Sequence, residues 1–178
     1  MDFKILDFIQ AHLHCGFLDT VMPFFTKLGN IGLIWIFAAA VLLIIPKYRK
    51  SGIMLSFALI LGLLICNIIL KPCVGRIRPF ALNKAVKLLI PAPTDPSFPS
   101  GHSLASFAAA TVFWKRFSKK ISIPVLMTAV LIAFSRLYLY VHFPSDVAAG
   151  IIIGILCGEI SVRLINYLDK RRHLSETN

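Results

Sequence analysis

The chain has 178 residues, of which 57% are hydrophobic and only 15% are charged, and its mean hydropathy is +0.79. Soluble domains carry about 25% charged residues, so this composition excludes an ordinary water-soluble fold and predicts a membrane protein. The formal net charge of +11 comes from short basic clusters between apolar segments, which is typical of topology signals and argues against nucleic-acid binding.

The N-terminal region contains two short apolar segments with polar interruptions. In residues 3–13, apolar and polar side chains alternate with helical spacing, which predicts an amphipathic helix on the membrane surface. Residues 17–27 are also apolar but contain Asp19 and Pro23, so this segment is either a second interfacial helix or the first part of a long span. We therefore treat residues 1–28 as an N-terminal region of interfacial helices.

The remainder of the chain predicts a bundle of about five membrane-spanning helices. Residues 28–46 and 51–70 contain no Asp, Glu, Lys or Arg, and each approaches the ~20 residues that cross a bilayer. The predicted spans cover residues 29–46, 51–70, 101–116, 121–141 and 147–168. The expected fold is an all-α, polytopic helical bundle, with one membrane domain over residues 29–170 and a cytoplasmic tail over residues 171–178.

Basic residues cluster in three short segments, residues 47–50, 115–120 and 170–172. If every span crosses, these clusters lie on one side, which the positive-inside rule identifies as cytoplasmic, together with the C-terminus. The long connection 71–100 then lies on the extracytoplasmic face. That connection carries five basic residues against a single acid, Asp95, so its charges need a role other than topology.

Three segments rich in functional groups interrupt the apolar background at predicted outer helix ends. Their candidate residues are Lys71 and Arg78, then Ser100, Gly101 and His102, then Arg136, His142 and Asp146. Lysine and arginine donate several hydrogen bonds to phosphate oxygens, so the three cations predict a site for a multiply charged anion. Ser100 precedes an apolar helix, where its hydroxyl and the free amides of the first turn also favour an anion.

The two histidines have partners that suit a two-step phosphoryl transfer. Pro144 suits a first helical turn, so we expect His142 just before a helix and Asp146 within its first turn. The carboxylate would orient one imidazole nitrogen and leave the other free to attack phosphorus. His102 suits a general acid, because an unperturbed imidazole has a pKa of ~6.5.

The spacing Lys-x6-Arg-Pro, Pro-Ser-Gly-His and Ser-Arg-x5-His-x3-Asp resembles the type 2 phosphatidic acid phosphatase family, which is related to the vanadium haloperoxidases. Every position of the signature is filled, and the resemblance covers roughly the last two-thirds of the chain. It implies that His142 becomes phosphorylated, that Asp146 orients it and that His102 protonates the leaving group. The same resemblance assigns phosphate binding to Lys71, Arg78, Ser100, Gly101 and Arg136. It implies no metal or other cofactor, and vanadate is expected to inhibit as a phosphate mimic.

The membrane setting and the outer-face site favour a lipid carrier, with undecaprenyl pyrophosphate in a bacterium as the first substrate hypothesis. Phosphatidylglycerol phosphate and phosphatidic acid remain alternatives, as does phosphoryl transfer to another lipid or sugar. A non-catalytic lipid transporter or binding protein would be indicated by a missing His142 or Asp146, and both are present. The expected partners are the lipid substrate and the bilayer, in the cell membrane, with no nucleic acid; the sequence does not indicate an oligomeric state.

Other polar and small residues are expected to have structural roles. His12, His14 and His173 lack convergent partners in the sequence and are interpreted as interfacial residues. Glu159 and Arg163 are four residues apart and are expected to form an ion pair. Gly150, Gly154 and Gly158 are expected to let two helices pack closely. Arg76 is equally compatible with a solvated position and with ligand binding.

Overall fold

The structure is a computed structural model that describes residues 2–176, with side chains described as far as Arg172, so the side chain of His173 and the last two residues of the predicted tail lie outside it. Its α-helices are α1 (Asp2–His12), α2 (Gly16–Leu28), α3 (Leu33–Ile44), α4 (Arg49–Leu63), α5 (Lys71–Val74), α6 (Pro79–Leu82), α7 (Gly101–Arg116), α8 (Lys119–Tyr138) and α9 (Pro144–Glu176). All regular elements in this described part are helical, which confirms the predicted all-α class.

Three helical stretches of the described residues are long and apolar enough to cross a membrane, namely Pro46–Leu82, Lys119–Tyr138 and Pro144–Arg172. A fourth is formed if Gly16–Leu28 and Asn30–Ile44, which meet at a bend of 46°, act together. The sequence did not decide whether residues 17–27 form an interfacial helix or the first part of a span. In the structure they form the first half of this bent element. The remaining predicted span, residues 101–116, corresponds to α7, which has only 16 residues and so rises about 24 Å.

Helix α7 lies at the centre of the bundle and packs against α4, α8 and α9. Its contact with α9 depends on the predicted small residues. A Cβ at Gly150 would lie 2.5 Å from the carbonyl oxygen of Ser100, and a Cβ at Gly154 would lie 2.4 Å from that of Leu104. Only glycine fits at such separations, so the prediction that these glycines allow close helix packing is confirmed.

Replacing Gly154 by alanine should therefore destabilise the bundle. The added methyl group meets backbone rather than a movable side chain, and overpacking of this kind costs about 1–3 kcal/mol. We expect the thermal unfolding midpoint in detergent to fall by several degrees. Gly16→Ala is the matched control, because no heavy atom lies within 4 Å of a Cβ at that position. Equal midpoints for the two variants would contradict the packing argument.

The basic clusters of the sequence gather at one end of the bundle. Lys50 contacts Asp169 at 2.6 Å, and Arg116 donates to the Ser51 hydroxyl at 3.3 Å. Glu159, expected to pair with Arg163, contacts that residue at 3.6 Å and Lys115 more closely at 2.7 Å. Helix α9 continues through Glu176, so most of the segment interpreted as a tail extends this helix.

The opposite end of the bundle is covered by the two N-terminal helices. Asp7 on α1 accepts a hydrogen bond from the Tyr140 hydroxyl at 2.7 Å, and Asp19 on α2 accepts one from Tyr138 at 2.6 Å. The amide of Gln10 donates to the carbonyl of Tyr138 at 3.0 Å. These contacts hold the turn between α8 and α9, which is the part of the chain that carries His142.

Candidate functional site

The three motif segments meet at one cavity of about 690 Å³ at the end of the bundle away from the basic clusters. Six of the eight predicted site residues line it: Lys71, Arg78, Gly101, His102, Arg136 and His142. Ser100 and Asp146 are fully buried and lie outside its lining. The structure therefore brings together residues that are up to 71 positions apart in the chain.

Lys71 and Arg78 reach the cavity because the chain changes direction twice. Helix α4 widens into a π-helical segment over Leu64–Leu70, which ends at Lys71. Helix α5 then ends at Gly75, whose φ of 57° lies in the left-handed region that glycine adopts without steric cost. The chain turns back there and places Arg78 beside the segment that carries His142.

His142 lies in a tight turn between α8 and α9. Helix α8 ends at Tyr138, three residues before the predicted end of that span, so Arg136 is in its last turn. The carbonyl oxygen of Arg136 accepts hydrogen bonds from the amides of Val141 at 3.2 Å and His142 at 3.3 Å. Arg136 and His142 are thus held together by the backbone, and α9 begins two residues later, as the sequence predicted.

The hydrogen bonds of the His142 ring indicate its tautomer. Arg78 Nη1 lies 3.1 Å from Nε2 of His142, and a guanidinium group can only donate. In the neutral ring Nε2 is therefore unprotonated, and the proton is on Nδ1, 3.7 Å from Oδ2 of Asp146. The Nε2 lone pair is the one that a nucleophilic imidazole would use.

The pKa of the buried His142 supports the neutral form. Complete burial holds the pKa well below its ordinary value, because a charged ring would lose its hydration. The Asp146 carboxylate opposes that shift, while the charges of Arg136 and Arg78 add to it. Burial therefore favours the neutral ring, with its one proton on Nδ1, which is the state required for attack through Nε2.

Asp146 accepts hydrogen bonds from several donors. Of its partners, only His142 was predicted from the sequence. Oδ2 accepts hydrogen bonds from the Ser97 hydroxyl at 2.5 Å and from the amide of Phe143 at 2.9 Å. The Ser97 hydroxyl also lies 3.5 Å from Nδ1 of His142, so it touches both partners of the pair. In the sequence, the indication of this role was that Ser97 lies three residues before Ser100.

Arg76 resolves the alternative that the sequence left open. Its Nη1 contacts Oδ1 of Asp146 at 2.5 Å, and its Nη2 contacts Asp2 at 2.9 Å. The hydroxyl of Ser145 donates to the same Asp2 carboxylate at 2.5 Å. Arg76 is therefore a partly exposed partner of Asp146 that also ties helix α1 to the site, and it does not line the cavity.

Asp95 is a second residue whose role the sequence did not reveal, although it was noted as the lone acid of its connection. Its carboxylate forms ion pairs with Lys71 and, at 3.0 Å, with Arg78 Nη2. Burial alone would raise the pKa of Asp95, but the hydrogen bond from Lys71 and the charge of Arg78 lower it to about 2. Asp95 is thus an anion that already engages two of the three predicted phosphate-binding cations.

Arg136 is the third cation and is almost completely buried, with 3% of its surface exposed. Its Nη1 donates to the hydroxyl of Thr26. Its Nε is the only buried side-chain nitrogen or oxygen without a hydrogen-bond partner among the described residues. Arg136 also lines the cavity, and a buried guanidinium at a cavity wall is well suited to bind an anion.

Ser100 caps helix α7 as predicted, but its hydroxyl is engaged within the helix. It accepts hydrogen bonds from the amide of Ser103 at 3.4 Å and from the Ser103 hydroxyl at 2.9 Å. Gly101 lies beside Lys71, since a Cβ there would be 3.9 Å from the lysine Nζ. Gly101, at the α7 N-terminus, is therefore the residue of this motif that lies next to Lys71.

His102 contacts the bend between α2 and α3. Its Nε2 donates to Oδ1 of Asn30 at 3.0 Å. The ring packs against Gly29, where a Cβ would lie 2.7 Å from Cδ2 of His102. Neither residue belongs to a recognised motif segment, and the sequence offered no signal for this contact.

Outside these residues, the described part of the chain contains no group of three or more His, Cys, Asp or Glu side chains placed to hold a metal ion. The apolar wall of the cavity is formed by α3 and α4, through residues that include Ile36, Ile60 and Leu63. These three side chains are each about half exposed at the outer surface of the bundle. The polar site is therefore continuous with a hydrophobic surface that faces the membrane.

The PAP2 superfamily profile matches residues 51–170 of the chain. An undecaprenyl-diphosphatase of Sulfolobus acidocaldarius is 33% identical over 162 residues, which cover 91% of this chain and 76% of that protein. The crystal structure of Aquifex aeolicus LpxE superposes with a TM-score of 0.81 and 32% identity, covering 91% of this chain and 94% of the other. A PAP2-type phosphatidylglycerolphosphate phosphatase from Bacillus subtilis superposes with a TM-score of 0.73 and 27% identity, covering 96% and 85%.

Proposed function

Because the chain belongs to the PAP2 superfamily, we propose that it hydrolyses undecaprenyl diphosphate to undecaprenyl phosphate through a phosphohistidine on His142. The enzyme class predicted from the sequence, a membrane phosphatase acting on lipid phosphate esters and diphosphates, is confirmed by its relatives. The proposal adds the substrate, the intermediate and the roles of individual residues. The observation that carries it is the cavity in which three cations and two histidines adjoin an apolar, membrane-facing wall.

In the first half-reaction, Nε2 of His142 attacks the terminal phosphorus, and the bond from that phosphorus to the bridging oxygen breaks. His102 gives a proton to the departing lipid phosphate, and Asp146 stabilises the positive charge on the His142 ring. In the second half-reaction His102 removes a proton from water, whose oxygen attacks the phosphohistidine. Inorganic phosphate leaves and His142 returns to its starting state.

The cations would lower the barrier by stabilising negative charge on the transferring group. Lys71, Arg78 and Arg136 converge on one cavity, so a phosphate that replaces the Asp95 carboxylate on Lys71 and Arg78 meets all three cations there. The burial of Arg136 at the cavity wall supports this role, because a bound phosphate would compensate its charge. The Gly101 amide adds a backbone donor, and Ser100 would act through the helix cap that holds this amide in place.

The substrate class follows from the walls of the cavity. A volume of about 690 Å³ fits a phosphate headgroup and the first part of a hydrocarbon chain, and the rest of a long chain would lie along α3 and α4 in the bilayer. Phosphatidylglycerol phosphate is the second candidate, because a relative named for that activity superposes over 96% of this chain. Both lipids present a terminal phosphate and an apolar body to the same site.

The decisive assay uses the purified full chain in detergent with a chelator present. Undecaprenyl diphosphate, phosphatidylglycerol phosphate and phosphatidic acid are offered at equal concentration, and phosphate release is measured. We expect release from undecaprenyl diphosphate to have the highest kcat/KM and vanadate to inhibit it. A preference for another lipid would overturn the substrate assignment, and a requirement for divalent metal would overturn the mechanism.

We also propose that the site faces the extracytoplasmic side and that the C-terminus is cytoplasmic. The three basic clusters lie at the opposite end of the bundle from the cavity, and the positive-inside rule supports that orientation. Single cysteines at Lys84 and Ser118, in an otherwise cysteine-free chain, test it with an impermeant thiol reagent in intact cells. Labelling at position 118 and not at position 84 would show the opposite orientation.

Removing the charge of Asp95 should tighten inhibition by inorganic phosphate. In the native chain Asp95 competes with phosphate for Lys71 and Arg78, so Asp95→Asn leaves one more net positive charge in the site. A unit charge at about 4 Å contributes a few kcal/mol at most, so we expect the inhibition constant to fall roughly tenfold. Glu159→Gln is the control: it removes an equal charge at the opposite end of the bundle and should leave the inhibition constant for phosphate unchanged. If the inhibition constant for phosphate is unchanged or higher in Asp95→Asn, Asp95 does not compete with phosphate for these cations.

A further inference from the structure

We infer that Asn30 is a positioning residue for His102, and that the bend between α2 and α3 is therefore part of the catalytic apparatus, an inference that rests on the proposed function. The N-terminal region carries no motif of the family signature. It nevertheless supplies one complete side of the His102 environment. Three features of the bend act on His102 or hold Asn30 in place: a hydrogen bond, a close contact and an unusual backbone.

The hydrogen bond joins Nε2 of His102 to Oδ1 of Asn30 at 3.0 Å. Since a carbonyl oxygen can only accept, Nε2 carries the proton in this arrangement. This is true of the charged ring and of one neutral tautomer, so Asn30 keeps a proton on Nε2, and the charged ring then has its second proton, on Nδ1, to give away. A hydrogen bond to the charged form also stabilises that form, which a general acid needs.

The close contact is between the His102 ring and the backbone of Gly29. A Cβ at Gly29 would lie 2.7 Å from Cδ2 of the ring and 2.8 Å from Cγ2 of Ile132. The imidazole therefore occupies a space that only glycine leaves open. Gly29 limits the orientation of the ring plane, and Asn30 fixes one of its two nitrogens.

The backbone of the bend is held in a conformation that is rarely adopted. Ile31 has a φ of 56° and Gly32 has a φ of 72°. A left-handed conformation is costly for a β-branched residue, and strain of this kind clusters at functional sites. Ile31 is 90% exposed, so packing of its own side chain does not explain its conformation. The pair of left-handed residues turns the chain so that Asn30 faces the cavity, which it lines.

Other charged groups also act on His102 and must stay constant in any test. Arg136, His142 and Lys71 each influence its protonation, and the backbone of Thr26 makes a further hydrogen bond to it. None of them is altered by a substitution at Asn30. A shift in the pH dependence of an Asn30 variant is therefore attributable to the contact with His102.

The test compares Asn30→Leu, which removes the acceptor at similar volume, with Asn30→Asp, which keeps an acceptor and adds a negative charge. Asn67→Leu is the matched control, because Asn67 lines the same cavity and has no contact with His102. The full-length variants are assayed on diacylglycerol pyrophosphate and on phosphatidic acid. These lipids share one body, but only the second must release an alkoxide, which depends most on a general acid.

For Asn30→Leu we expect kcat on phosphatidic acid to fall about tenfold to a hundredfold, with a clearly smaller fall on diacylglycerol pyrophosphate. The alkaline limb of the pH profile should move down in Asn30→Leu and up, by about one pH unit, in Asn30→Asp. Asn67→Leu should leave the position of this limb unchanged. Equal losses on the two lipids together with unmoved limbs would show that Asn30 is merely structural. Absence of undecaprenyl diphosphate hydrolysis by the native chain would instead overturn the proposed function.

Discussion

Replacing His142 by alanine should abolish turnover, with kcat falling by about four orders of magnitude or more. The nucleophile forms the bond that defines the first half-reaction, and loss of a nucleophile leaves only the residual effect of binding and charge stabilisation. The measurement is phosphate release from undecaprenyl diphosphate by the purified variant. Brief incubation with substrate labelled in its terminal phosphate should yield an acid-labile phosphoprotein from the native chain and none from the variant.

His142 is fully buried, so the alanine variant also leaves a cavity that weakens the fold. His142→Gln preserves most of the volume and should be equally inactive while unfolding near the native midpoint. His12→Ala is the matched control, since this histidine is exposed and contacts only the carbonyl of Phe8 and the adjacent ring. Substantial phosphate release by a folded His142→Gln protein would exclude His142 as the nucleophile.

Replacing His102 by glutamine should slow catalysis by about 10²–10⁴-fold, the usual contribution of a general acid or base. The loss should depend on the leaving group. It should be largest for phosphatidic acid, whose departing oxygen is a strongly basic alkoxide, and smaller for diacylglycerol pyrophosphate, which releases a stable phosphate. The measurement is kcat for both lipids in the variant and in the native chain. The loss of kcat on phosphatidic acid is then compared with the loss on diacylglycerol pyrophosphate.

The same variant should accumulate the phosphohistidine when a diphosphate is the substrate. With a diphosphate substrate, the first half-reaction needs little help from a general acid. The second half-reaction lacks the base that activates water in this variant, so the phosphohistidine decays slowly. His14→Gln serves as the control, because His14 contacts Tyr138 and Asp19 away from the cavity. If His102→Gln neither discriminates between leaving groups nor accumulates phosphoprotein, His102 has another role.

Much of the site was predictable because it is encoded in short segments with their own chemistry. The family signature identified Lys71, Arg78, His102 and Arg136 as residues that share one site, and the structure places all four on one cavity. The first turn of α9 followed from Pro144 alone. These inferences succeed because the spacing within a motif, the capping of a helix and the length of an apolar segment are local properties.

The contacts that the sequence did not reveal join segments that no periodicity relates. Ser97 reaches Asp146 across 49 positions, and Asn30 reaches His102 across 72. Asp95 was visible as the lone acid of a basic connection, but its ion pairs with Lys71 and Arg78 depend on the return of the chain after Gly75. Such contacts require angles and distances between helices, which side-chain order along one helix does not specify.

The sequence by itself determined that the chain is an all-α membrane protein and which motif segments meet at one cavity, because hydropathy and motif spacing are read along the chain. Only the tertiary structure decided how those residues are held. It decided that α2 and α3 meet at a bend beside His102, and that Arg76 joins Asp146 to the N-terminal helix. Both depend on where helices cross and how their connections turn, and this is set by packing among residues far apart in sequence.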